Sequence, residues 1–301
     1  MANLFRYTAP QICVISVTGE DALSYLQSQF SNDLKSSGDQ PVTYGLFLNR
    51  KGKVQADAFI IRTGDESFYL VSYFCDPAQV LETVEANVIA DEVEFEDVSA
   101  SFQLITYWGD EAWINQRLPA AGAYNHQAKA YIFRGRRMNK IHFECLVSRD
   151  SNDPFAEDTA TEADVHAMLQ LRIDAGIPAI PQDIGTDDLP HEGADLSSAA
   201  VSYTKGCYLG QEVMARLHAM GRPQRALFLV EFPQPTNDKV SVYAGEKAIG
   251  SITSQCSKNE QTALGLAVLK RRYVTEDTQL TLGNSGDRTV KIVAETPTHD
   301  A

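Results

Sequence analysis

The chain lacks long apolar segments and is poor in basic residues. Its 301 residues contain no apolar run of about eighteen residues, the length that crosses a bilayer. The start, MANLFRYTAP, has neither a secretory signal pattern nor the Arg/Ser-rich character of a transit peptide. Only 26 Lys and Arg stand against 40 Asp and Glu, a formal net charge of -14. This balance disfavours nucleic acid or a membrane surface as a direct partner. Together with the missing apolar span and targeting signal, it leads us to expect a cytoplasmic protein.

The usual patterns of disulfide, metal and nucleotide sites are also missing. The five cysteines are odd in number and include no C-x-x-C pair, so we expect reduced thiols and no zinc site. His191-Glu192 begins like the zinc motif H-E-x-x-H, but position 195 holds Asp195 instead of the second histidine. No G-x-G-x-x-G follows a predicted strand, and no G-x-x-x-x-G-K-[ST] occurs. The sequence therefore predicts neither a metal centre nor a phosphate-binding loop.

The order of predicted elements gives an α+β fold with three domains. Residues 1–98 follow the order βαβββα, and residues 99–225 repeat a similar cycle that ends with a helix near 162–175. Short alternating strands over residues 226–301 predict a small C-terminal β-barrel or sandwich. The first two domains are either consecutive or interleaved.

Capping patterns predict where three helices begin. Thr18 with Asp21, and Thr161 with Asp164, have the spacing of a capping box. Asp76 precedes a proline, the combination of a cap and a first-turn proline. Each pattern predicts a helix start at that point of the chain.

One cysteine, in the segment KGCYLGQE (205–212), has the surroundings of a reactive thiol. Gly206 and Gly210 let the backbone turn tightly and approach a ligand. Lys205 favours the thiolate form of Cys207, and a helix that begins near Gly210 favours the same anion. The competing interpretation is a buried cysteine that packs as a small hydrophobe, and we adopt it for the other four cysteines.

Two further features suit a polar or anionic ligand. Asp174 lies in the last turn of its predicted helix, where the helix dipole disfavours a negative charge by about 0.3 to 1 kcal/mol. Either an ion pair or solvent offsets this cost, or the carboxylate accepts paired hydrogen bonds from a ligand. Arg216, Arg222 and Arg225 form a cluster that is either a solvated surface or an anion site.

The segment KGCYLGQEVMAR resembles the signature of the YgfZ-type folate-binding proteins. These are relatives of the glycine-cleavage T-protein that act in the maturation of iron-sulfur enzymes. Four more segments support the resemblance in chain order, namely SVTGEDALSYLQSQFSNDL, YGLFLNRKGKVQADAFI, LRIDAGIP and DLPHEGADLSSAAVSYTKGCYLGQE. The resemblance covers most of the first 225 residues.

This resemblance implies a ring of two ferredoxin-like, T-protein-like α+β domains and a β-barrel around a hole that binds tetrahydrofolate or a derivative. In the T-protein relatives, an arginine-leucine-glutamate-alanine-glycine segment offers a carboxylate to the pterin. Here Asp174 takes that place and is one methylene shorter. The relatives also carry two adjacent aspartates where this chain keeps only Asp57, which argues against aminomethyl transfer. Cys207, which the aminomethyltransferases lack, is present.

The resulting interpretation is a tetrahydrofolate-binding accessory protein for the assembly or repair of iron-sulfur clusters in specific enzymes, with an indirect effect on tRNA modification. Cys207 is the expected reactive residue, and the expected partners are folate and iron-sulfur enzymes or cluster-assembly proteins. Two alternatives stay open: a folate-dependent one-carbon transferase or demethylase acting on a small amine, and a non-catalytic, folate-stabilised recruiting module. The expected folate-binding residues are Arg172, Asp174, Lys205, Gly206, Tyr208, Gly210, Gln211, Glu212 and Arg216.

Overall fold

Two β-sheets and a closed β-barrel make up the fold in the computed structural model, which describes residues 3–35, 41–221, 223–234, 240–283 and 288–296. The elements before residue 98 are β1 (Phe5–Thr8), β2 (Cys13–Thr18), α1 (Ala22–Gln29), β3 (Val42–Leu48), β4 (Val54–Arg62), β5 (Ser67–Ser72), α2 (Pro77–Glu85) and β6 (Glu94–Asp97). Five of these strands form one antiparallel sheet in the order β3-β4-β5-β2-β6. Leu26 of α1 and Val80 of α2 are buried in the same core as Ile15 of β2.

The second sheet combines strands from two distant parts of the chain. The elements from residue 99 to residue 221 are a 3₁₀ turn (Ser99–Ser101), β7 (Phe102–Trp108), α3 (Glu111–Arg117), β8 (Tyr124–Gln127), β9 (Ala130–Arg134), β10 (His142–Ser148), β11 (Thr161–Glu162), α4 (Val165–Asp174), a 3₁₀ turn (Pro190–Glu192), α5 (Leu196–Ala199) and α6 (Gln211–Met220). The strand order is β11-β1-β7-β10-β9-β8, and β1 pairs antiparallel with β7. β1 therefore belongs to the second sheet, although it precedes every strand of the first sheet along the chain.

The remaining strands close into a barrel. They are β12 (Arg225–Pro233), β13 (Val240–Ala244), β14 (Lys247–Ser257), β15 (Thr262–Lys270), β16 (Leu280–Leu282) and β17 (Thr289–Glu295), with a 3₁₀ turn at Arg271–Tyr273. The barrel closes in the order β12-β15-β14-β13-β16-β17. Of the two architectures that the strand spacing allows, the structure has the barrel, and the predicted α+β class is confirmed.

The barrel packs against the α+β layers through a continuous core. Phe228 and Val230 of β12 are buried in the barrel's own cluster. Leu227, their neighbour on the opposite face, belongs to the core of the first sheet, as does Leu266 of β15. Residues on both faces of these strands are buried because one face fills the barrel and the other meets the rest of the protein. No helix in the described part of the chain has both the length and the apolar character needed to cross a bilayer.

All three helices begin within one turn of the predicted positions, and in two of them an aspartate of the predicted pattern caps the helix. The Asp76 carboxylate accepts two backbone N–H groups at the start of α2, and Asp164 accepts one at the start of α4. Thr161 is not part of the second cap, because it lies in β11. The Thr18 and Asp21 prediction is wrong in its cap: α1 begins after Asp21, whose carboxylate instead accepts the backbone N–H of a distant loop residue.

Candidate functional site

A pocket lies where the second sheet, the end of α4 and the barrel meet. Its volume is about 340 Å³, within the range of small-molecule sites. We call it the central pocket and define it by Arg136, Asn139, Asp174, Asp195, Leu229 and Thr296, which are among the residues that line it. Since the second sheet, the end of α4 and the barrel all contribute to its wall, the pocket depends on how they pack together.

Asp174 is the last residue of α4 and presents an exposed carboxylate to the central pocket. The helix stops there because Gly176 takes a φ of +68°, which favours glycine, and a β-carbon at this position would lie 2.6 Å from Thr296 Cγ2. Burial raises the pKa of the Asp174 carboxyl, and the nearby Lys258 and Lys140 ammonium groups oppose the shift. The exposed carboxylate can accept hydrogen bonds from a ligand with two adjacent N–H donors.

Arg172 has a positioning role in this structure. Its Nη1 donates to Asp183 Oδ2 at 2.8 Å and to the carbonyl of Ile177 at 2.8 Å, while Nη2 donates to Ser254 Oγ at 2.7 Å. Arg172 and Asp183 are both almost fully buried. Arg172 thus makes these contacts in place of the expected contact with a ligand. They connect α4 to the following loop and to the barrel, and this connection holds Asp174 in position.

A bidentate ion pair that the sequence analysis missed also lines the central pocket. The two terminal nitrogens of Arg136 lie 3.1 and 2.8 Å from the two carboxylate oxygens of Asp195. The same guanidinium lies 4.6 Å from the centroid of the Tyr44 ring. The signal in the sequence was a pair of adjacent arginines between two predicted strands of an otherwise acidic chain. The pair adds fixed polar groups that can orient a ligand.

Asp57 takes the place of the two adjacent aspartates of the T-protein relatives and is buried next to Tyr44. Its carboxylate accepts hydrogen bonds from Tyr44 Oη at 2.9 Å and Ser72 Oγ at 2.8 Å, and the Cys75 thiol lies 3.4 Å away. Burial raises the pKa of Asp57, although these hydrogen bonds oppose the shift. Asp57 is not among the described residues that line the central pocket.

Cys207 is the exposed member of the five cysteines, while the other four are buried as expected. Lys205 anchors the loop that carries Cys207. Its Nζ donates to the carbonyls of Gln27, Phe30 and Asn32 at 2.7, 2.7 and 2.8 Å. These carbonyls belong to the last turn of α1 and the residues after it, where a cation is favourable. All three ammonium protons are therefore used to support the loop.

The placement of Lys205 and Tyr208 changes the roles expected for them. Burial lowers the pKa of Lys205 to about 8, with the Asp33 carboxylate opposing the shift. Tyr208 is buried in the core of the first sheet, 5.2 Å from the Lys205 ammonium to its ring centroid. Neither side chain lines the central pocket. Lys205 and Tyr208 anchor the loop and leave Cys207 at the surface.

The second half of the motif forms the start of α6. Gly210 caps the helix, Gln211 begins it, and the Gln211 side chain donates to the carbonyl of Lys205 at 3.4 Å. Glu212 is exposed in the first turn. The helix start near Gly210 is confirmed, and the Gln211 contact supports the loop that carries Cys207.

Gly210 is expected to tolerate no side chain, whereas Gly206 is expected to tolerate one. Gly210 has a φ of +85°, and a β-carbon there would lie 2.8 Å from the carbonyl oxygen of Asn49. Gly206 has no heavy atom within 4 Å of the same position. We expect Gly210→Ala to lower the free energy of unfolding by about 1–3 kcal/mol, measured by urea denaturation. Gly206→Ala is the matched control, with an effect within about 0.5 kcal/mol; equal losses would contradict the assignment.

The structure divides the expected single site into two places. Asp174 lines the central pocket, but none of residues 205–212 does. Arg216 is exposed on α6, and Arg225 is paired with Glu192 at 2.7 Å and Asp188 at 3.0 Å. Arg222 lies outside the described residues. Because Arg225 already has two carboxylate partners, it is not available to the anion site that was one interpretation of the arginine cluster.

In the described ranges no group of three or more His, Cys, Asp or Glu side chains is placed to hold a metal ion.

Comparisons with known proteins agree with this architecture. The profile of the GCVT N-terminal domain matches residues 11–151. The tRNA-modifying protein YgfZ of Edwardsiella ictaluri is 30% identical over 225 residues, which are 71% of this chain and 67% of that protein. An aminomethyltransferase of Bacillus cytotoxicus is 24% identical over 313 residues, 94% of this chain and 83% of that protein. The crystal structure of glycine cleavage system aminomethyltransferase T from Bartonella henselae superposes with a TM-score of 0.80 at 18% identity, over 98% of this chain and 86% of that one. This last likeness shows the fold alone.

Proposed function

The chain belongs to the YgfZ-type branch of the GcvT-like family, and from this premise we propose that it binds a reduced folate and supports enzymes that modify tRNA. The finer part of the proposal is that these client enzymes contain iron-sulfur clusters, whose assembly or repair needs Cys207. Folate and the client enzymes, or the proteins that build their clusters, are then the partners. The chain's formal net charge of -14 fits an effect on tRNA through other enzymes rather than by direct binding.

The observation that carries folate binding is the exposed Asp174 carboxylate in a pocket built by the second sheet, the end of α4 and the barrel. The aminopyrimidine edge of a pterin offers adjacent N–H donors, which match the two oxygens of a carboxylate. The Arg136–Asp195 pair supplies further fixed polar groups in the same wall, and Leu229 an apolar surface. The residues present therefore fit a pterin, although the acid is one methylene shorter than the glutamate of the T-protein relatives.

The exposed position of Cys207 supports contact with a partner protein. A thiol at the surface, on a loop held by buried Lys205 and Tyr208, can lose its proton and coordinate an iron ion of a client enzyme. It can also attack the outer sulfur of a persulfide, so that the S–S bond of the donor breaks and the donor's thiol leaves. Because Cys207 does not line the central pocket, the proposal includes no transfer of a one-carbon unit from folate to its sulfur.

The aminomethyltransferase relatives keep a folate-dependent transferase as the second candidate. Its support in the structure is Asp57, a buried carboxylate with a raised pKa that touches Tyr44 beside the central pocket. Turnover of a folate derivative by the purified protein, dependent on a small amine, would favour this candidate. If folate binding stabilises the protein and Cys207 is dispensable, the non-catalytic recruiting module is favoured.

Substitution of Asp174 is expected to remove most folate binding. Asn keeps the size of the side chain but loses the charge and one acceptor, so we expect Asp174→Asn to raise the Kd for tetrahydrofolate about 10- to 100-fold. Titration calorimetry under anaerobic conditions measures this change. Asp277→Asn, an exposed acid of the barrel region outside the central pocket, is the matched control and should bind as wild type.

The same carboxylate predicts the pH dependence of binding. Burial raises the pKa of Asp174, so protonation begins at a higher pH than for an ordinary aspartate. As the pH falls through this raised pKa, the carboxyl loses an acceptor and folate affinity falls. The difference between wild type and Asp174→Asn isolates this effect from the titration of folate itself. Equal affinities of the two proteins at neutral pH would contradict the assignment of Asp174.

A further inference from the structure

A second pocket, larger than the central one, lies between the two α+β units. Its volume is about 730 Å³, and no described residue lines both pockets. It is formed by the chain between β1 and β2, the residues after β5, and the start of β7. We call it the arginine pocket and define it by Tyr7, Phe74, Gln103, Arg137 and Arg149, which are among the residues that line it.

Arg137 forms part of the wall of this pocket and has unused hydrogen-bond donors. Its side chain is 3% exposed, and its guanidinium lies 3.8 Å from the centroid of the Tyr73 ring. Among the described residues, neither Nε nor Nη2 has a hydrogen-bond partner. Nε forms an ion pair of 3.4 Å with the buried Glu144 carboxylate, which accepts hydrogen bonds from Tyr73 Oη at 2.9 Å and Thr106 Oγ1 at 2.8 Å.

Buried arginine donors without an acceptor are costly, which points to an acceptor that the protein itself does not supply. Leaving a buried charged donor unsatisfied costs more than the net gain of an ordinary hydrogen bond. The Asp76 carboxylate also lines the arginine pocket, but it caps α2 by accepting two backbone N–H groups. The charge of Arg137 is thus paired with Glu144, but among the described residues its Nε and Nη2 lack a hydrogen-bond acceptor, which an anion in the pocket can supply.

The rest of the pocket wall suits an apolar body attached to that anion. Phe74 is 42% exposed, an unusual state for a large aromatic residue, and its ring centroid lies 5.8 Å from the Arg137 guanidinium. The Tyr7 ring lies 5.6 Å from the same group. Arg149, exposed at the same pocket, adds a second positive charge. An exposed aromatic surface beside two cations matches a planar or apolar molecule with one anionic end.

We propose that the arginine pocket binds a small organic carboxylate with an aromatic or apolar body. The carboxylate lies at Arg137 and Arg149, where planar guanidinium groups can donate paired hydrogen bonds. The body packs on Phe74 and Tyr7. The adjacent residues Arg136 and Arg137 thus serve different pockets, the first in the central pocket and the second in the arginine pocket.

The test uses phenylacetate and indole-3-acetate with the full chain, by ligand-observed NMR and calorimetry. Both acids are expected to bind, while phenylacetamide, which has the same ring without the charge, binds at least about 10-fold more weakly. Arg149→Ala, an exposed substitution, is expected to weaken the acids about 10-fold or more and to leave tetrahydrofolate binding unchanged. Arg50→Ala, an exposed arginine outside the pocket, is the matched control.

Arg137→Gln provides the second variant and is expected to abolish phenylacetate binding in protein that still binds tetrahydrofolate. If this variant does not fold, Arg149→Ala and Phe74→Ser decide the question. The proposal is overturned if neither acid binds, if phenylacetamide binds as well as phenylacetate, or if Arg149→Ala has no effect. It is also overturned if tetrahydrofolate displaces the acids competitively, because the arginine pocket would then be one end of the folate site. Loss of folate binding in Asp174→Asn alone would leave the proposal standing.

Discussion

Cells that carry Cys207→Ala in place of the wild-type protein are expected to lose most activity of an iron-sulfur tRNA-modifying enzyme, such as a radical-based methylthiolase. The physical reason is that the thiolate is the form of cysteine that binds metals and attacks sulfur, and Ala removes it. Because Cys207 is exposed, the substitution leaves no cavity and should not lower stability. The measurement is the fraction of methylthiolated nucleoside in bulk tRNA from deletion cells rescued with each variant, with an expected drop of about 10-fold or more, near the deletion strain.

Two companion variants separate the chemistry of Cys207 from the shape of its loop. Cys207→Ser keeps the size of the side chain but replaces the soft thiolate ligand, so we expect it to fail like Cys207→Ala. Thr204→Ala, an exposed substitution in the same loop, is the matched control and should rescue fully. Full rescue by Cys207→Ala would remove the thiol from the mechanism. If the deletion itself causes no deficit, the folate-dependent transferase becomes the first candidate.

Arg172→Met is expected to lower the free energy of unfolding by about 3–5 kcal/mol, because it leaves the buried Asp183 carboxylate without its cationic partner. The two side chains are 4% and 0% exposed and lie 2.8 Å apart. Met retains the length and apolar stem of Arg, so lost packing contributes little. Urea denaturation measures the change, and folate titration at a temperature where the variant is folded tests whether Asp174 keeps its position.

The surrounding charges provide the control for this prediction. Lys129 and Asp150 form an ion pair of 2.7 Å whose side chains are both 65% exposed. Lys129→Met should lower the free energy of unfolding far less than Arg172→Met, since solvent screens such pairs. The double variant Arg172→Met/Asp183→Leu should be less destabilised than the sum of the two single variants, because no charge is left unpaired. Additive losses would show that the two residues act independently.

Local structure could be predicted from the sequence where one short signal decided it. The Asp76-Pro77 pair predicted the start of α2, and the predicted helix near 162–175 corresponds to α4. These features depend on neighbours within one turn, so no distant residue can change them. Asp21 shows the limit of the same reasoning. Its carboxylate accepts the backbone N–H of Glu92, seventy-one positions away, instead of capping α1.

The sequence by itself determined the α+β class, the C-terminal run of barrel strands and a cysteine between glycines in a family motif. Only the folded structure shows what the charged residues do. Lys205 and Arg172 face main-chain carbonyls and a buried carboxylate that are supplied by other parts of the chain. Arg137 meets Tyr73, a residue from another sheet, and so lines a pocket that no local pattern contains. A charged side chain takes the partner that folding brings to it, and spacing along the chain does not record that partner.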